Sequence, residues 1–173
     1  MPIILGIDPG LQHTGWGVVA ANGNHLSFIA CGAIHPDTKK PMAERLCELN
    51  EGIKKIVGLY KPQEAAVEET FVNANARAAL ALGQARGTAI CAAVLANLPV
   101  AEYTALQVKQ SVVGNGHARK EQVQDMVRRL LALPGNPSPD AADALACAIC
   151  HAHAAKLGSL STRGLRLRRG RLG

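Results

Sequence analysis

Four acidic residues stand where a folded chain can gather them: Asp8, Glu68, Asp140 and Asp143. Asp8 closes the β-branched run Ile3 to Ile7 and precedes Pro9-Gly10, so its carboxylate falls at the carboxyl end of a buried strand. Glu68 closes the apolar run Ala65 to Val67 in the same way. Asp140 and Asp143 lie three residues apart behind Ser138-Pro139, a capping residue and a first-position proline, and so share one face of an opening helix. Taken singly, each acid has a bland account as a turn residue, a solvated carboxylate or a complement to a helix dipole. Taken together, carboxylates meeting in one cleft repel unless cations neutralise them. Hard oxygen donors suit magnesium or manganese, and two such ions can activate water and stabilise a leaving oxygen in phosphodiester hydrolysis.

A second group of residues has the chemistry to meet nucleic acid. Arg119 and Lys120 fall at the first turn of an expected helix after Gly114-Asn115-Gly116. Cations there oppose the helix dipole by roughly 0.3 to 1 kcal/mol each. An approaching phosphate reverses that sign. Phe71 follows the Glu68 strand and is open to two readings, core burial or stacking on an unpaired base. Lys109 read alone is an ordinary solvated lysine. Glu69 points to the opposite side of its strand from Glu68 and is assigned no metal role. Cys147-Ala148-Ile149-Cys150-His151, with His153, has the spacing of a haem or zinc motif, but it sits within an expected helix and is read as packing.

The elements that must position these groups follow from periodicity. Ile3–Ile7, Gly15–Ala21 and His25–Ile34 read as three antiparallel strands, the last two joined through Asn22-Gly23. Apolar residues at Met42, Leu46, Leu49, Ile53, Ile56, Val57 and Tyr60 mark one face of a helix that Pro62 ends. The strand to Glu68, reached through that crossover, is expected to pair in parallel with the first strand. An alanine-rich helix over 73–97, a strand over 99–103, helices over 104–112 and 119–131, and a last helix from Pro139 to about Lys156 complete the reading. Both Asp8 and Glu68 then sit at carboxyl ends of neighbouring parallel strands, where open α/β sheets build sites.

With 173 residues the chain suits a single domain, taken here as residues 1–157, followed by a flexible basic tail over 158–173. The net charge of +6 overstates the domain's basicity, since five arginines of the tail leave only +1 before it. No stretch of about 18 apolar residues and no secretory leader is apparent, so a cytoplasmic protein with no membrane association is expected. Five cysteines, an odd number, are read as reduced thiols.

The combined motifs resemble the RuvC family of Holliday junction resolvases, within the ribonuclease H-like nucleases. The matching segments are Ile4-Leu5-Gly6-Ile7-Asp8-Pro9-Gly10 with Thr14-Gly15, Val67-Glu68 with Phe71, Leu82 to Gly87, Val108-Lys109-Gln110, and Asp140-Ala141-Ala142-Asp143-Ala144. The resemblance spans nearly everything before the tail. It implies an α/β fold, ribonuclease H-like, with a five-stranded mixed sheet of three antiparallel strands then two parallel ones, and helices on both faces. It further implies that Asp8, Glu68, Asp140 and Asp143 are the metal-binding acids for two Mg2+ ions, with Mn2+ as a substitute. Lys109 and Lys120 correspond to lysines near the scissile phosphate. Phe71 is turned toward DNA contact by the match, and the alanine-rich helix toward a dimer interface. The implied protein is a homodimer that nicks four-way junction DNA symmetrically, in recombination and repair, alongside a branch-migration complex of RuvA and RuvB type proteins.

Two other classes compete with that reading. An ATPase of the actin and sugar-kinase class shares the opening hairpin but needs a second lobe, and no Gly-x-x-x-x-Gly-Lys loop is present. A module that binds branched DNA without cutting it has no use for four retained acids, which weaken binding to phosphates.

Overall fold

Alternate residues of the first strand face different layers, and that alternation sets the architecture. The computed structural model describes residues 1–69 and 75–169, with side chains as far as Lys156. Strands β1 (Ile3–Asp8), β2 (Thr14–Asn22) and β3 (His25–Ile34) form an antiparallel meander. Strand β4 (Glu64–Glu69) pairs in parallel with β1, and β5 (Val100–Thr104) in parallel with β4, so the sheet order is β3-β2-β1-β4-β5. This is the mixed sheet the sequence implied, with helices on both faces.

Leu5, Ile7, Val18 and Val67 point to one face, where they pack on Leu49, Ile53 and Ile56 of α1 (Met42–Tyr60) and Ala85, Ala89 and Ala92 of α2 (Ala76–Leu95). Ile4, Val19 and Ala66 point to the other, against α3 (Ala105–Val113), α4 (Lys120–Leu130) and α5 (Pro139–Arg169). Each fully buried Ile, Leu or Val on these faces contributes about 1.5–3 kcal/mol. The side of β1 that carries Ile4 also carries Gly6 and Asp8, so the periodicity of two sends Asp8 toward α5.

The β2–β3 turn is centred one residue later than an Asn22-Gly23 centre would place it. Asn22 pairs with His25, which leaves Gly23 and Asn24 as the central residues, and Gly23 alone has positive φ, at 61°. Glycine at the first central position is the requirement of a type II′ hairpin. Helix α2 begins at Ala76, where Asn75 Oδ1 accepts the N–H groups of Arg77 and Ala78, and ends at Leu95, inside the 73–97 span expected. By length and composition alone α2 is apolar enough to cross a membrane, which no uninterrupted apolar run had indicated. Its Ala85–Ala89–Ala92 face belongs to the core described above.

Helix α5 departs most from expectation. It continues to Arg169 where an end near Lys156 was expected. Gly158 and Gly164 each weaken a helix by about 1 kcal/mol, and no proline follows Pro139 to stop it. The tail boundary at 157/158 therefore does not coincide with a helix end.

Candidate active site

Three glycines decide how closely α5 approaches the sheet. A Cβ added to Gly6 would lie 2.0 Å from the Ala144 carbonyl oxygen, and one on Gly15 would lie 2.1 Å from that of Asp140. At Gly17 the nearest atom would be Leu145 Cδ2, at 2.6 Å. The first turns of α5 thus rest directly on the β1–β2 backbone, and Asp140 and Asp143 are carried above the end of β1. Thr14, fully buried, donates its hydroxyl to the Gly10 carbonyl at 2.6 Å and accepts the Gly10 N–H at 3.2 Å, which ties down the loop after Asp8.

Asp8, Glu68 and Asp143 line one cleft of about 190 Å³, together with Lys109 of α3 and Lys120 of α4. Asp140 does not open into that cleft. It forms a wall of a neighbouring cavity of about 410 Å³, beside Gly10, Leu11 and Arg45. Its charge still reaches Asp8 and Asp143 and raises the carboxyls of both. A larger cavity of about 630 Å³ lies away from these acids, between Leu106 and Ser111 on α3 and Cys150 and His153 on α5.

Burial and mutual repulsion dominate the electrostatics. Asp8 is pushed up to about 8, first by burial, then by the charges of Glu68, Asp143 and Asp140, with Lys120 pulling the other way. Glu68 is pushed up to about 7 by burial and Asp143, against Lys120 and Lys109. Asp143 is raised mainly by burial, and Lys120 Nζ lies 3.7 Å from its Oδ2. Among the described residues, neither Asp8 nor Glu68 has a side-chain hydrogen bond or ion pair, and Lys120 is 78% exposed, so its compensation is screened.

Among the described residues, no three His, Cys, Asp or Glu side chains are closed tightly enough to hold an ion as they stand. The donor set itself suits a hard divalent cation: half-buried carboxylate oxygens facing one small cleft, those of Asp8 and Glu68 without a hydrogen-bond donor among the described residues.

The remaining sequence candidates fall as follows. Phe71 lies outside the described residues. Arg119 caps α4 and is exposed, its N–H donating to Gln122 Oε1 at 2.9 Å. Glu69 is exposed on the far side of β4 from Glu68. Cys147 is buried where the charges of Glu68 and Asp8 reach it, and its thiol is held well above the ordinary range by burial. His151 does not border the cleft. Its Nδ1 lies 2.8 Å from the Tyr103 hydroxyl and its Nε2 2.7 Å from Glu64, a hydrogen-bonded chain across the sheet. Sequence reasoning passed over Thr14 and the three glycines as positioning residues. The glycine spacing 15, 17 on one strand and 6 on its neighbour was the available signal, because only a close backbone approach favours glycine at alternate strand positions.

A sequence model of the family described as "Crossover junction endodeoxyribonuclease RuvC" matches residues 4–151. A protein of that description from Methylobacillus flagellatus is 56% identical over 175 residues, covering 98% of this chain and 97% of its own length. Among solved structures, Thermus thermophilus RuvC in complex with Holliday junction substrate superposes with a TM-score of 0.85 at 36% identity, covering 91% of this chain and 97% of that one. The yeast mitochondrial Holliday junction resolvase Ydc2 superposes with a TM-score of 0.66 at 11% identity, covering 95% of this chain and 85% of that one, which shows a shared fold.

Proposed function

The chain belongs to the RuvC family of crossover junction endodeoxyribonucleases, and from that premise we propose that its acidic cleft hydrolyses the phosphodiester bonds of four-way junction DNA using divalent metal ions. The observation that carries this reading is the meeting of Asp8, Glu68 and Asp143 with Lys109 and Lys120 in one cleft, with Asp140 lining the neighbouring cavity. The substrate follows the junction bound by the Thermus relative.

In this reading Asp8 and Glu68 present donors from adjacent strands of a rigid sheet, and Asp140 and Asp143 present theirs from the first turns of α5. Two Mg2+ ions are the expected complement, with Mn2+ able to replace them. When bound, such ions supply a polarised water as nucleophile and stabilise the leaving oxygen. Lys120, already drawn toward Asp143, and Lys109 across the cleft offset the charge that builds on the scissile phosphate. Arg119, exposed at the α4 cap, holds a flanking phosphate. Phe71 stacks on an unpaired base at the crossover.

The protein is further proposed to act as a homodimer through α2. Leu80, Val94 and Leu95 are exposed on that helix and project from one side of it, together with Cys91. Two copies place two clefts against opposed strands, which suits paired symmetric nicks in recombination and repair alongside a branch-migration complex. The setting is the bacterial cytoplasm, consistent with five free cysteines and with the bacterial relative.

The test compares nicking of a mobile four-way junction with nicking of linear duplex, in magnesium and in calcium, for the wild type, Asp8→Asn and Asp143→Asn. Junction nicking in magnesium by the wild type, with binding but no nicking by either variant, is the expected result. Equal cleavage by the variants removes the carboxylates from the mechanism.

A further inference from the structure

Arg45 is the one side chain of α1 that reaches the cavity beside Asp140, and its guanidinium is only partly used. Nη2 donates to the Leu11 carbonyl at 3.1 Å, while Nε is buried and has no hydrogen-bond partner. Nor does a carboxylate claim it among the described residues. Glu48 feels its charge, but that carboxylate is taken by Lys40 and by the Asp37 N–H. Arg86 has the same unmet Nε, yet its guanidinium holds Glu102 and it lines none of the described cavities. Arg45 is therefore a cation anchored on the Leu11 carbonyl, paired with no carboxylate among the described residues, in the wall of an open cavity.

That space adjoins the cleft. Gly10, two residues past Asp8, and Asp140, three residues before Asp143 on α5, line the cavity, while Asp8 and Asp143 line the cleft. Gln12 and His13 stand exposed at the mouth, and Ala78 and Ala81 of α2 are too short to fill it. In such a cavity the planar guanidinium of Arg45 matches the oxygens of a phosphate. We propose that the Arg45 cavity is a phosphate subsite, binding the backbone phosphate adjacent to the cleaved one on the same strand. The inference rests on the nuclease reading of the cleft.

The experiment measures binding of a four-way junction in calcium between 50 and 200 mM salt for the full-length wild type, Arg45→Met and Arg45→Lys. Expected for Arg45→Met is roughly tenfold weaker binding at the low end, and a slope of log affinity against log salt shallower by about 1. Arg45→Lys should keep the slope. An unchanged slope in Arg45→Met overturns the subsite. If Arg45→Met fails to fold through loss of the Leu11 contact, Ala78→Glu decides the matter. Ala78 is exposed in the first turn of α2, where an acid suits the helix. Its carboxylate should weaken binding at low salt and lose that effect at high salt, and unaffected binding overturns the proposal. Nicking by saturated Arg45→Met in magnesium, set beside Asp8→Asn, separates failure of the subsite from failure of the cleft.

Discussion

Asp8 and Glu68 hold their protons to high pH because burial penalises ionisation, as do the charges of Glu68, Asp143 and Asp140 on Asp8 and of Asp143 on Glu68, with Lys120 offsetting part of the cost. A carboxyl whose folded pKa lies above its unfolded one binds more protons when folded, so metal-free stability falls as pH rises. For Asp8 the window runs from 3.8 to about 8, and for Glu68 from 4.5 to about 7. Asp8→Asn, which mimics the protonated form, should therefore stabilise the metal-free protein at pH 8 by at least about 1 kcal/mol, or roughly 2 to 4 °C in Tm. At pH 4 the two proteins should melt together. Adding magnesium should narrow the pH 8 gap, since the ion binds the folded wild type and stabilises it by mass action. A variant that melts no higher than wild type at pH 8 without metal would show that Asp8 is not electrostatically strained.

At the scale of elements, the site depends on how near α5 sits to β1 and β2. Gly15→Ala sets a methyl against the Asp140 carbonyl, a backbone atom that moves only if the helix start moves. Overpacking of this sort costs about 1–3 kcal/mol, and an error of about 1 Å in a catalytic group costs roughly 100-fold in rate. Gly15→Ala should accordingly lose about two orders of magnitude in nicking while retaining junction binding. Gly17→Ala meets the flexible end of Leu145 first, so it should lose stability with a smaller effect on rate. Melting and single-turnover nicking of the two variants check the contrast. Equal rates in both would mean that α5 adjusts without moving its acids.

For the whole molecule, the exposed face of α2 is where a second copy should dock. Leu80→Glu with Leu95→Glu places charges on that face and should yield monomers by sedimentation, with single rather than paired nicks on a junction. Dimers surviving in the double variant would move the interface elsewhere. Residues 158–173 carry five arginines, and we propose that they form an accessory tail outside the nuclease domain. Removing them should leave magnesium-dependent nicking intact and flatten the salt dependence of DNA binding. Loss of folding on truncation would show that the long α5 belongs to the domain.

Much was legible in the residues because local physics determines it. Strand alternation, the Ser138-Pro139 helix start and the Pro62 stop act over a few residues, so the five strands and the ends holding Asp8 and Glu68 could be read directly, while the full mixed order of the sheet came from the family resemblance. The length of α5 was misread, since glycines weaken a helix without necessarily ending it. Only the tertiary structure decided that Asp140 turns into the Arg45 cavity while Asp143 faces the cleft. The same holds for the pairing of His151 with Tyr103 and Glu64, and for Gly6 and Gly15 as the seat of α5. Each of these depends on the distance between elements remote along the chain, and a sequence sets residue types and periods but no such distance.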